Sequence, residues 1–160
     1  MALTKINNNT LSAITGLPAG VGGKVLQVVQ ANNSTQTGTS SGTYTDIVSA
    51  SITPSSTSNK ILVVAHASGL YSSTPGAFGR VQITHSGGTT RVAGTAPNIG
   101  TGGASSVGVG SASISYLDSP SSTSAVTYKI QFACPYTPSG SVFINIDNSV
   151  STITLLEVLG

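Results

Sequence analysis

The chain is poor in charge. Of its 160 residues only 6% are Asp, Glu, Lys or Arg, against about 25% in an ordinary soluble domain. Lys5, Lys24, Lys60, Arg80, Arg91 and Lys129 are scattered among Asp46, Asp118, Asp147 and Glu157. Six dispersed cations cannot make the phosphate-neutralising stripe that nucleic-acid binding needs, so no nucleic-acid partner is expected. The pI near 8.9 reflects a small excess among few charges. Disorder driven by charge repulsion is excluded as well, because the net charge is +2 and the mean hydropathy is +0.24. No apolar stretch approaches the roughly 18 residues that span a bilayer, so membrane insertion is not expected. The first ten residues contain no apolar core of a secretion signal. Cys134 is the single cysteine, which leaves no intrachain disulfide. Tryptophan is absent, with three Phe and five Tyr. Nowhere do apolar residues hold helical spacing for three turns.

What is present is hydroxyl and glycine. Serine and threonine supply more than a quarter of the chain, and glycine adds 19 residues. A surface so coated has little charge repulsion to keep copies apart, which favours permanent assembly.

Residues 1–23 differ from the rest. Asn7, Asn8, Asn9 and Thr10 are followed by Gly16, Pro18, Gly20, Gly22 and Gly23. Leu3, Ile6, Leu11 and Ile14 are too sparse for a core element. This segment reads as an extended N-terminal docking arm, with those four apolar residues as its anchors. Residues 24–160 read as one β-sandwich domain.

From Lys24 onward the pattern is β. Val126, Tyr128, Ile130, Phe132 and Cys134 alternate with Thr127, Lys129, Gln131 and Ala133, the period of a strand with one buried face. Residues 43–52 alternate likewise, as do Val142, Ile144 and Ile146 with Phe143, Asn145 and Asp147. Residues 24–30 and 61–67 are nearly continuous apolar runs and predict central strands covered on both faces. Residues 78–85 and 89–93 flank Ser86-Gly87-Gly88, a hairpin signal. Residues 106–117 and 152–159 complete about nine strands, which predicts an all-β fold, an antiparallel sandwich of jelly-roll or Greek-key type. Pro54-Ser-Ser-Thr-Ser58 and Pro120-Ser-Ser-Thr-Ser124 are matching words, each placed between strands. They predict two structurally related connections.

Little chemistry is signalled. Two histidines, one cysteine and four scattered carboxylates are a thin basis for a metal site. His66 lies in an apolar run and reads as a hydrogen-bonded core or interface histidine, the alternative being an ion shared by three copies on a symmetry axis. His85 borders the hairpin and reads as a surface or interface group. Asp118 and Asp147 fall in turns, where aspartate is favoured for local bonding, so two of the four carboxylates that glycoside hydrolysis would draw on already have structural explanations. Residues 100–110 resemble a phosphate loop only superficially, since position 105 is Ser and no helix follows. They read as a long loop over 95–106. The Asn8-Asn9-Thr10 and Asn32-Asn33-Ser34 triplets match the glycosylation sequon only as Asn- and Thr-rich sequence does by chance. No enzyme activity and no cofactor are expected. Tyr71, Phe78 and Tyr136 are the aromatics left as platforms for a glycan.

The opening Met1-Ala-Leu-Thr-Lys-Ile-Asn-Asn-Asn-Thr-Leu11, the strand Gly23-Lys-Val-Leu-Gln-Val-Val29, the phrase Ile52-Thr-Pro-Ser-Ser-Thr-Ser-Asn-Lys-Ile-Leu-Val63 and the ending Ser151-Thr-Ile-Thr-Leu-Leu-Glu157 resemble small virion proteins of tailed bacteriophages, especially those of aquatic bacteria, of the head-decoration, fibre and appendage types. The resemblance implies a trimeric β-sandwich without catalytic residues, docked on the particle by its N-terminal segment and assembled in the bacterial cytoplasm. The expected partners are two further copies of the chain and a major capsid, tail or portal protein. The expectation is a capsid decoration or cement protein, or a short head fibre. The rival is a tail fibre or receptor-binding appendage that recognises a host-surface glycan.

Overall fold

The computed structural model describes residues 25–74, 77–86, 89–93, 109–136 and 140–160, with the backbone alone at Phe78, Thr89–Ala93, Val109 and Tyr136. Ten strands are described: β1 (Val25–Asn33), β2 (Thr37–Thr39), β3 (Thr45–Ile52), β4 (Lys60–Ser72), β5 (Phe78–His85), β6 (Thr89–Ala93), β7 (Val109–Asp118), β8 (Val126–Tyr136), β9 (Val142–Ile144) and β10 (Ser151–Val158). A 3-10 turn, Ile146–Asn148, precedes β10.

All pairings are antiparallel and fall into two sheets. The first has β1, β10, β4 and β7 side by side, and the second has β3, β8, β5 and β6. The chain crosses between sheets at every connection of these eight strands except the β5–β6 hairpin. That is a jelly roll, the double Greek key of a β-sandwich. β2 and β9 form a short pair that continues the first sheet beyond the end of β10, through Tyr71 and Ser72 of β4.

Strand alternation builds the core. Ile61, Val63 and Ala65 of β4 and Ile153 and Leu155 of β10 point inward from one sheet. Val81, Ile83, Tyr128, Ile130 and Phe132 meet them from the other, and all ten are 2% exposed or less. Each large side chain so buried contributes about 1.5–3 kcal/mol. The matching Pro54 and Pro120 links join β3 to β4 and β7 to β8, so both carry the chain from one sheet to the other, in opposite directions.

Several expectations need correction. The apolar run 24–30 is not a central strand: β1 pairs with β10 alone among the described strands. Its run is apolar because a register shift between Val25 and Gln27, together with an outward Val28, spreads side chains over both faces. β4 is central, but its second face is not covered, and Val64 stands 43% exposed. It also runs on to Ser72. A bulge between Ala67 and Leu70, with Gly69 at φ 61, resets the alternation so that Ala67 and Leu70 both face inward. The strand expected over 142–147 stops at Ile144, because Asn145 takes a left-handed conformation. β2 has no apolar residue and gave no signal. β5 and β6 pair antiparallel as the hairpin signal predicts, with Thr84 opposite Thr90.

Candidate functional site

The two outer faces of the sandwich differ. Outward residues of the second sheet include Arg80, Gln82 and Thr84 on β5, Thr127, Lys129 and Gln131 on β8, and Asp46, Ser49 and Ser51 on β3. Lys129 Nζ lies 2.6 Å from Asp46 Oδ2, and Gln131 Nε2 donates to Asp46 Oδ1. The Lys129 hydrogen bond, with that of Gln131, holds the Asp46 carboxyl below its ordinary range. This face is polar and internally paired.

The outer face of the first sheet carries Lys60 as its charged residue among the described strands. Its register places Val28, Leu156, Leu62 and Leu117 in one row, from β1 across β10 and β4 to β7. Val28 is 58% and Leu117 47% exposed, at the two edges of the row. Val158 extends the row on β10, and Val64 stands above Leu62 on β4. Beyond them the face turns to hydroxyls: Thr152, Thr154, Ser113 and Ser115 flank His66. His66 is therefore on an outer face and not in the core. Its Nδ1 lies 2.9 Å from Ser113 Oγ on the neighbouring strand. His85 is half-buried and packs on Tyr128, with ring centroids 5.6 Å apart.

Buried carboxylates hold the ends of the strands. Glu157 faces inward and is 1% exposed. Its Oε1 accepts from Asn59 Nδ2 at 2.6 Å, Ser55 N at 2.7 Å and Ser55 Oγ at 2.8 Å, and Oε2 accepts from Gln27 Nε2 at 2.7 Å. Burial alone would push this carboxyl up, but the hydrogen bonds hold it down to about 2. The charge thereby ties β10 to β1 and to the Pro54 link. Asp118 at the end of β7 is 2% exposed and accepts from Tyr128 Oη at 2.7 Å. It is a buried strand-end acceptor and not simply a turn residue.

At the far end of the first sheet's outer face, Gln36, Tyr71, Phe143, Ile146 and Asp147 line an open cleft of about 250 Å³. Register makes it: Tyr71 of β4 lies opposite Phe143 of β9, which lies opposite Gly38 of β2. The ring of Phe143 rests on Gly38, where a Cβ would stand 2.5 Å from its Cε1. Tyr71 and Phe143 are tilted at 45°, with centroids 6.0 Å apart. Asp147 is held outward by an unusual turn, in which Asn145, Asp147 and Asn148 all have φ between 54 and 59. Asn and Asp tolerate this left-handed region better than other side chains.

A buried polar network fixes the turn. Asn145 Nδ2 donates to Thr35 O at 3.1 Å, Ser151 Oγ donates to Asn145 Oδ1 at 2.6 Å, and Ser68 N donates to Ser151 Oγ at 3.0 Å. Asp147 and Gln36, by contrast, make no side-chain hydrogen bond among the described residues.

The structure places Tyr71 on the first sheet and Phe78 and Tyr136 on the second. Tyr71 joins Phe143, which the alternation put on an outward face without marking it as a platform. Phe78 and Tyr136 are opposite each other at one end of the β5–β8 ladder, and their side chains lie outside what is described. The anchors Leu3, Ile6, Leu11 and Ile14 and the loop 95–106 also lie outside the described residues. Cys134 is buried, with its Sγ 4.0 Å from Gly140 O.

No family model matches the chain, and no curated protein matches it. Among solved structures it is similar to a chain in the structure of infectious bursal disease virus, Gx strain. The match has a TM-score of 0.51 and 13% identity, and covers 84% of this chain and 32% of that one. At that identity the likeness is one of fold.

Proposed function

We propose that this protein is a structural component of a virion, a homotrimer that decorates or cements the shell of a tailed bacteriophage. The carrying observation is the aliphatic row Val28–Leu156–Leu62–Leu117 on an outer sheet face whose charged residue is Lys60. Exposed apolar rows that cross a whole sheet mark interaction surfaces. The occupant of this row is a second copy of the chain. The row reaches both edges of the sheet, so that neighbours related by rotation can each use it. Two faces nearly free of charge also meet without stranding an ion. The fold likeness to a chain of a virus structure supports the reading, although jelly rolls serve lectins as well as viral shells. The segment before Val25 leads into the strand at one edge of this face, and docking on the particle is assigned to it.

Such a protein acts by linkage: it binds the assembled shell better than a broken one and so stabilises it by mass action. With few ions available, attachment should weaken little as salt rises. Sedimentation of the purified chain should give three times the monomer mass of 15.9 kDa. Leu62→Lys should yield folded monomer. Deleting residues 2–20 should leave the fold intact and abolish binding to particles. A monomeric wild-type chain at micromolar concentration would refute the assembly. Particles lacking the protein that resist heat normally but fail to adsorb to cells would replace cement with receptor binding.

A further inference from the structure

We infer that the cleft between Tyr71, Phe143 and Asp147 is a binding site for a neutral sugar ring. The assembly proposed above does not require it. At about 250 Å³ the cleft is smaller than the sites that hold drug-sized ligands, and it fits a single ring. Its walls combine the two elements such a ring needs. Tyr71 and Phe143 supply an apolar platform for the face that carries C–H groups. Asp147 and Gln36 supply hydrogen bonding of both kinds at its rim. The carboxylate only accepts, whereas the amide both donates and accepts. Sugar hydroxyls do both, and a charged acceptor makes the stronger bond.

These groups are free to bind. Neither Asp147 nor Gln36 spends its side chain on a partner among the described residues. Asp147 is exposed at the tip of a turn of left-handed residues, while buried Asn145 and Ser151 lock that turn from beneath. Strain held in place by a satisfied network is typical of preorganised sites. Gly38 contributes by lacking a side chain, which lets the ring of Phe143 lie down beside Tyr71.

The charge selects among ligands. A carboxylate repels sialylated or phosphorylated sugars. A quaternary ammonium would suit two rings and a carboxylate, but it has no hydrogen bonds to offer Gln36. A neutral pyranose satisfies all of them. Position matters as well. Tyr71 lies nine residues along β4 from Leu62, about 25 Å at strand rise once the bulge is allowed for, so a partner seated on the aliphatic row leaves the cleft open.

The test uses the full-length protein and an array of neutral and sialylated oligosaccharides. Titration calorimetry then follows with methyl glucoside, methyl galactoside, methyl mannoside and phosphocholine. Saturable binding of at least one neutral sugar is expected, with none of sialylated sugars or phosphocholine. Asp147→Asn keeps a side chain suited to the left-handed turn. It should weaken binding by about tenfold or more at an unchanged melting temperature. Gly38→Val should abolish binding by displacing Phe143, and oligomer size should be unchanged. The inference is overturned if no neutral sugar binds at millimolar concentration, if phosphocholine binds instead, or if Asp147→Asn binds as tightly as wild type.

Discussion

Replacing Glu157 by Gln tests the account of what closes the sandwich. In the native protein Oε1 accepts three hydrogen bonds and Oε2 one. Gln keeps one acceptor and puts an NH2 group where the other stood. That group faces Gln27 Nε2. Gln27 can turn its own oxygen toward it only by withdrawing Nε2 from Thr53 O, now 2.8 Å away. Either a part-buried donor is left facing another donor, or the exposed Thr53 O gives up its donor to solvent; the first costs about 1–3 kcal/mol, and in both cases the three remaining bonds lose their charge. The expected destabilisation is about 2–4 kcal/mol at neutral pH, measured by urea unfolding at fixed protein concentration with the slope unchanged.

The pH dependence has a definite sign. The folded carboxyl sits near 2, below its ordinary 4.5. The stability it contributes is therefore full above 4.5 and lost as pH falls through 2. The gap between wild type and Glu157→Gln should narrow over that window. A gap under about 0.5 kcal/mol at pH 7, or one that does not change between pH 5 and 2, would refute the reasoning.

Gly69→Ala should be strongly destabilising. The position has φ 61, and a Cβ would stand 1.9 Å from Ser149 Oγ and 2.9 Å from Ile146 N, so calorimetry should show a loss above about 1 kcal/mol together with a disturbed 146–149 turn. Tyr128→Phe removes a fully buried donor to Asp118 and should lower the melting temperature by several degrees, for a loss of about 1–3 kcal/mol. Asp46→Asn, by contrast, should change stability by less than about 1 kcal/mol. Both members of the Lys129 pair are exposed, and the small difference should fade in molar salt and as acid protonates Asp46.

Strand identity was legible wherever side chains alternate. β3 and β8 announce themselves because one face of each is buried and the other wet, so composition follows geometry residue by residue. The β5–β6 hairpin was legible from its glycines, and the two Ser/Thr links from their repetition. Where a strand broke its own period, local pattern misled. The bulge in β1 made an edge strand look buried. Gly69 hid the second half of β4, and the left-handed Asn145 ended β9 early. Each is a backbone event that one or two residues set, and it leaves the surrounding composition unchanged.

The site was legible only in fragments. Tyr71 stood out as an unburied aromatic, but its companions Gln36, Phe143 and Asp147 come from distant parts of the chain and carry no shared motif. By itself the sequence determined that this is an antiparallel β-sandwich with a hydroxyl-rich, weakly charged surface, because period and composition are local properties that burial imposes directly. Only the tertiary structure decided that four aliphatic side chains form one row, that Glu157 binds three segments together, and that two rings and a carboxylate share a cleft. Those facts depend on cross-strand register. Register is fixed by the packing of the whole core, and it brings together residues that are far apart in the chain.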